Sequence, residues 1–212
     1  KKTIIRVPED YPTIQEAINA ATPGAVIKVG PGNYAGCLLD EQVAIVGSGE
    51  TVINDGPTHP AGLSQGFRLL AGCGGSTLRH LTFTVDLAIM NGAGVDDIEV
   101  SHCTFLDTIQ AVSNWGGSRW TITHNKITDL RTRNGGGIGI LIADRFGGTV
   151  TDNLVIHNKV TGTLHVDPDD GPVPDLVPLL EDALGIQIIV ARVPDPDRPS
   201  TSTGHPYCAA VT

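Results

Sequence analysis

The chain has 212 residues and a formal net charge of -9, with 17% charged and 4% aromatic residues beside 26 glycines and 14 prolines. That composition describes one sizeable domain with many tight turns and a small-aliphatic core, not a helix bundle or a disordered tail. The acidic balance argues against nucleic acid as a partner, because phosphate affinity comes from Lys and Arg, and no apolar run approaches the roughly 20 residues that a membrane span needs.

The opening Lys1-Lys2-Thr3-Ile4-Ile5 lacks the apolar centre of a signal peptide, as expected of a mature form. Residues 13–21 place apolar side chains at 14, 17, 18 and 21, with Pro12 before and Pro23-Gly24 after, which predicts an amphipathic helix. Strands are predicted at Phe67 to Ala71, Leu87 to Met90, Ile109 to Ser113 and Ile138 to Ala143, with turns such as Gly72-Cys73-Gly74-Gly75 and Gly116-Gly117 between.

Four segments repeat: Leu78-Arg79-His80-Leu81-Thr82-Phe83, Val100-Ser101-His102-Cys103-Thr104-Phe105, Ile122-Thr123-His124-Asn125-Lys126-Ile127 and Val155-Ile156-His157-Asn158-Lys159-Val160. The steps from His80 to His102 and from His102 to His124 are equal, and the step from His124 to His157 is half as long again, which reads as one coil per step with an insertion in the last. The columns Leu78/Val100/Ile122/Val155 and Phe83/Phe105/Ile127/Val160 read as inward ladders of parallel strands about 4.8 Å apart. Five positions separate the two columns, so the chain must turn a corner between them, expected at Leu81, Cys103, Asn125 and Asn158. Asn125 and Asn158 are neighbours only if no full coil intervenes. One irregular coil is expected, at residues 130 to 148.

The fold class that follows is all-β: a parallel β-helix solenoid over 1–162, its N-terminal opening covered by the helix at 13–21. Residues 163–212 form an irregular C-terminal cap or interaction segment, with a short helix at Asp175 to Leu184 and a strand at Ile186 to Ala191.

The stretches Val7-Pro8-Glu9-Asp10-Tyr11-Pro12-Thr13-Ile14-Gln15-Glu16-Ala17-Ile18 and Ala25-Val26-Ile27-Lys28-Val29-Gly30-Pro31-Gly32-Asn33-Tyr34 resemble the opening of pectin-lyase-like proteins, pectin methylesterases among them. The resemblance is close over those two stretches and extends, in style, from residue 1 to residue 162. It implies a right-handed β-helix, extracellular or cell-surface location, and an acidic polysaccharide as partner. Gly32-Asn33-Tyr34-Ala35-Gly36 is similar to the first methylesterase motif but has Gly36 where the family has glutamate. Gln110-Ala111-Val112 matches a second motif, whose glutamine helps stabilise an oxyanion. Ala143-Asp144-Arg145-Phe146-Gly147 faintly resembles the nucleophile segment, and Arg192-Val193-Pro194 with Arg198 resembles the pectate-lyase arginine motif with one residue too many.

Asp107 and Asp129 are separated by the same step as His80 and His102, so they fall on adjacent coils, where like charges could drive their titrations apart into acid and base roles. Arg131 and Arg133 follow in a glycine-rich loop. The candidate catalytic set is therefore Asp107, Asp129 and Arg131, and the candidate substrate-binding set is Trp115, Gln110, Arg133, Asp144 and Arg145. The plainer reading makes the aspartates turn residues neutralised by Arg131. A histidine ladder points its rings in parallel instead of converging them, so no metal is expected, and no cofactor either. Cys37, Cys73, Cys103 and Cys208 show no C-x-x-C spacing and permit two disulfides without requiring any.

The expected function is noncatalytic: a structural or polysaccharide-binding β-helix. The alternatives are a pectin esterase or polyuronate lyase-like enzyme acting through Asp107, Asp129 and Arg131, and a module that self-assembles through its coil ends or C-terminal segment.

Overall fold

A computed structural model describes residues 2–133, 137–144 and 150–165, together with the backbone of a strand at Ile189–Ala191. The described residues are all-β apart from one short helix, and their strands stack into three sheets. Sheet A orders β1 (Ile4–Val7), β2 (Ala25–Val29), β5 (Val43–Gly47), β8 (Thr77–Arg79), β11 (Glu99–Ser101), β14 (Thr121–Thr123) and β17 (Leu154–Ile156). Sheet B orders β3 (Gly32–Ala35), β6 (Thr51–Asp55), β9 (Thr82–Phe83), β12 (Thr104–Thr108), β15 (Lys126–Arg131) and β18 (Lys159–His165). Sheet C orders β4 (Cys37–Leu39), β7 (Gln65–Leu69), β10 (Leu87–Asn91), β13 (Gln110–Trp115), β16 (Ile138–Ala143) and β19 (Ile189–Ala191). All neighbours run parallel except β16 and β19, which pair antiparallel. The chain visits A, B and C in turn, giving five full coils from β2 to β16 and a sixth begun by β17 and β18, the winding of a β-solenoid.

The two expected ladders form the core, extended by Ile45 and Ile53 at one end, while Val155 and Val160 at the other end are only partly buried against it. Ile45, Leu78, Val100 and Ile122 lie in register in sheet A and are fully buried. Ile53, Phe83, Phe105 and Ile127 do the same in sheet B. Phe83 and Phe105 stack at 5.2 Å, and Phe67 meets Phe83 edge-on at 5.3 Å. Trp120 is also fully buried, its indole N–H donating to the Val95 carbonyl at 2.6 Å.

The corner between sheets A and B differs in detail from expectation. The left-handed residue is the histidine itself: His80, His102, His124 and His157 have φ of 57°, 54°, 56° and 57°. Histidine is among the few non-glycine residues enriched there. The next residue, Leu81, Cys103 or Asn125, then turns inward and is buried. Asn125 Nδ2 donates to Asn158 Oδ1 at 2.9 Å, so the two asparagines are neighbours and no full coil intervenes.

The insertion is divided. Gln110 pairs with Ile138 and Thr121 with Leu154, both longer steps than the Val100 to Ile122 step of a regular coil, so the extra residues lie partly before and partly after the regular strand β16. The irregular coil is not alone. Ala44 pairs with Thr77, as long a step as that from Thr121 to Leu154, because the chain from 56 to 64 forms a loop between β6 and β7, closed by a Thr58–Ser64 bridge.

The helix α1 (Ile14–Ala20) begins at Thr13, whose hydroxyl oxygen accepts the Glu16 N–H at 3.1 Å, and buries Ile14, Ala17 and Ile18. It packs against β1, β2 and β4. Gln15 pairs with both backbone groups of Leu38 on the edge strand β4, accepting at 2.8 Å and donating at 3.2 Å. Among the described residues no helix is long and apolar enough to cross a membrane. The expected helix at Asp175 to Leu184, the Arg192–Arg198 segment and Cys208 lie outside the described residues.

Candidate functional site

Asp107 and Asp129 stand at the corner where sheet B passes to sheet C, on adjacent coils, because Leu106 pairs with Thr128 and Thr108 with Leu130 around them. Both are left-handed, with φ of 52° and 58°. Phe105 and Thr108, three positions apart, can therefore both be buried while Leu106 and Asp107 face solvent.

Arg131, at the end of β15, is the centre of the site. Its Nε donates to the Asp107 carbonyl at 2.8 Å and lies 3.3 Å from Asp107 Oδ2. Its Nη2 meets Asp86 Oδ1 at 2.5 Å. Asp86 also binds Ser64 reciprocally: the Ser64 N–H donates to Oδ2 at 2.9 Å and the Asp86 N–H donates to Ser64 Oγ at 3.0 Å. At the other end His165 Nδ1 is 3.1 Å from Asp107 Oδ1. Ser64, Asp86, Asp107, Arg131 and His165 come from five successive coils, so the group is a polar seam running along the corner. Burial alone pushes the Asp86 carboxyl up, but the Arg131 and Ser64 hydrogen bonds, with the guanidinium charge, outweigh it and hold the carboxyl below the usual range.

Asp129 has a different partner: its Oδ1 accepts the Thr163 N–H of β18 at 2.7 Å. Gly162, at φ 99°, lies so close that a Cβ there would collide with the Asp129 carboxylate. Gln110 sits beside the seam, its N–H on the Asp86 carbonyl at 3.0 Å and its Oε1 accepting from the Ser113 hydroxyl at 2.7 Å.

The structure thus gathers Asp107, Arg131 and Gln110 and sets Asp129 alongside them. Trp115 and Asp144 are elsewhere. Trp115 ends β13, about 16 Å along the strand from Gln110, in register with Ala143, and packs half-buried against the small apolar cluster to which Ala143 belongs. Asp144 follows β16 at that same far end, Arg133 is exposed past the end of β15, and Arg145 lies outside the described residues. Asp86 and His165 belong to the seam but were not among the sequence candidates.

A second feature is the histidine corner. The rings of His80, His102, His124 and His157 are exposed and follow one another at centroid distances of 5.3, 5.0 and 4.9 Å, with interplanar angles of 36°, 1° and 35°. Among the described residues no three His, Cys, Asp or Glu side chains are grouped so as to hold a metal ion. Cys37, Cys73 and Cys103 are free, buried thiols.

Compared with protein-family models, with curated proteins and with solved structures, the chain matches none of them.

Proposed function

We propose that this chain is a noncatalytic, extracellular or cell-surface β-helix of the right-handed, pectin-lyase-like kind, with α1 as its N-terminal cap and a structural or polysaccharide-binding role. The observation that carries this reading is that the charges of the candidate site are already partnered within the protein. Arg131 is held by two carboxylates from other coils, and Asp129 holds a backbone N–H of the next coil. Groups so engaged tie coils together, and substrate would have to displace them. Gly36 supports the same reading. A Cβ at that position would collide with the Gly66 carbonyl, so the glutamate of the methylesterase motif has no room there.

One observation favours an enzyme instead. His165 and Asp107 form a half-exposed imidazole–carboxylate pair, the arrangement that orients a general base. Methanol and reducing-end release from a panel of pectins and alginates separates the two readings, alongside a binding assay on the same glycans. Binding without turnover is the expected result. Turnover abolished by Asp107→Asn or His165→Asn overturns it.

A further inference from the structure

We propose that the corner between sheets A and B is a binding ridge for a linear anionic polysaccharide, and that it takes up its ligand together with protons as the pH falls below neutral. The proposal rests on the polysaccharide-binding reading above but places the ligand on a surface distinct from the Asp107–Arg131 seam.

The corner demands a left-handed residue, but that demand does not select histidine. The sheet C to A corner meets it with Gly75, Asp97, Arg119 and Asp152, and the sheet B to C corner with Asp107, Asp129 and Gly162. Among the described residues, only the A to B corner places the same ionisable side chain in four coils. The result is a straight row of exposed imidazoles about 5 Å apart, the repeat of the strands beneath them. His102 and His124 stack face to face, with an interplanar angle of 1°, and His80 and His157 lie against them tilted by 36° and 35°, so the two inner rings offer a ligand mainly their edges. His124 Nδ1 is held by Thr123 Oγ1 at 2.7 Å. Parallel edges do not converge on a single ion; they suit a polymer that repeats an acceptor along its length.

The surroundings favour an anion. Lys126 and Lys159 are exposed and in register, each two residues beyond a ladder histidine, and exposed Arg79 immediately precedes His80. The acids near the row are Glu99, whose Oε1 accepts from the Ser101 hydroxyl at 2.8 Å, and Glu50, beside the Gly49 N–H that donates to the His80 carbonyl at 3.3 Å. Histidine side chains gain charge between about pH 8 and 5, and neighbouring cations in a row repel one another. Anionic groups laid along the row relieve that repulsion through charge-assisted hydrogen bonds, so ligand binding and proton uptake favour each other. Single-stranded nucleic acid fits less well, because its bases stack on free aromatic faces, and the faces between neighbouring rings of the row are taken up by each other.

The test measures binding of labelled polygalacturonate, dextran sulfate, uncharged dextran and single-stranded DNA at pH 7.5 and pH 5.5. Calorimetry in buffers of different ionisation enthalpy counts the protons taken up. Both acidic polysaccharides are expected to bind about tenfold tighter at the lower pH, with net proton uptake, while dextran stays unbound. The carboxylated and sulfated arms show which anion the ridge prefers. His102→Asn with His124→Asn, which keeps side chains that tolerate the left-handed corner, should lose that pH gain, and Lys126→Gln should weaken binding at both pH values. If the double variant, shown to be folded by its circular dichroism and melting, binds as the wild type does, the ridge is wrong and polysaccharide binding stands elsewhere. No binding of any glycan at either pH removes both claims, and preference for the DNA overturns the ligand class.

Discussion

Replacing Asn125 with leucine sets side-chain volume against hydrogen bonding at one buried position. Leu81 occupies the equivalent place two coils earlier and is 1% exposed, so the fold accepts a leucine's bulk at this corner. Asn125 is 2% exposed. Its Oδ1 accepts the Cys103 N–H at 2.9 Å, and its Nδ2 donates at 2.9 Å both to the Val100 carbonyl and to Asn158 Oδ1. Leucine leaves the Cys103 N–H buried without this partner and strips the Val100 carbonyl of one donor. Each buried polar group left unsatisfied costs about 1–3 kcal/mol, and the added apolar burial offsets part of the total. The net loss expected is about 3 kcal/mol, or a fall in melting temperature of about 6–12 °C for a chain of this size. Asn158→Leu serves as the comparison. Its Nδ2 donates to the Ile122 and Ile156 carbonyls at 2.8 and 3.1 Å, and its Oδ1 accepts from the Asn125 N–H at 3.0 Å and from Asn125 Nδ2 at 2.9 Å. The site is only half-buried, so water can replace part of these bonds, and a smaller loss of about 1–2 kcal/mol is expected there. Urea unfolding followed by circular dichroism measures both. A loss below about 1 kcal/mol for Asn125→Leu, or the reverse order of the two, would refute the reasoning.

Phe105→Ala removes the upper ring of the Phe83–Phe105 stack from a fully buried site and should cost about 3–5 kcal/mol in the same assay. The lowered Asp86 carboxyl gives a pH signature. Its stabilising contribution is complete above the unfolded carboxylate range near pH ~4 and is lost as the pH falls through the depressed folded value. Arg131→Gln should therefore cost about 1–2 kcal/mol at pH 7 and flatten the acid side of the stability curve, and an acid limb as steep as that of the wild type would contradict this. Burial pushes the Cys73 thiol up to about 11 and the Cys103 thiol up to about 12, and raises Cys37 further still. In a Cys208→Ser chain a thiol reagent at pH 8 should label none of the three before unfolding, and fast labelling of native protein would count against their burial.

The coil repeat was legible because strands in register must offer the same kind of side chain to the same core, and the Leu78 and Phe83 columns do so. The corner was legible only as a need. Five positions between two inward side chains require one left-handed residue, but His124 and Asn125 both tolerate that conformation, and only the hydrogen bonds of Asn125 decide which turns inward. The loop at 56–64 left no mark because no ladder histidine precedes His80, so there was no earlier step to measure. Asp86 and His165 were missed for a related reason. Asp86 has no acidic or basic residue one coil away in its own column and joins the site by reaching Arg131 two coils on, while His165, in register with Arg131, joins it by reaching back two coils to Asp107. The one-coil spacing that links Asp107 to Asp129 is therefore a sound guide to which residues stack and a poor one to which residues bond.

The bond from Arg131 to Asp86 skips a coil: its ends belong to the third and fifth windings, and Asp107 of the fourth lies between them. In a solenoid whose units touch only their neighbours, stability is a sum of adjacent terms, and the array can be peeled one winding at a time from a free end. A tie that spans three windings works as a lashing. Under a pulling force applied at the C-terminal side, the fifth winding cannot leave while the third stays anchored, so rupture is expected as one larger step instead of a sequence of single-coil steps.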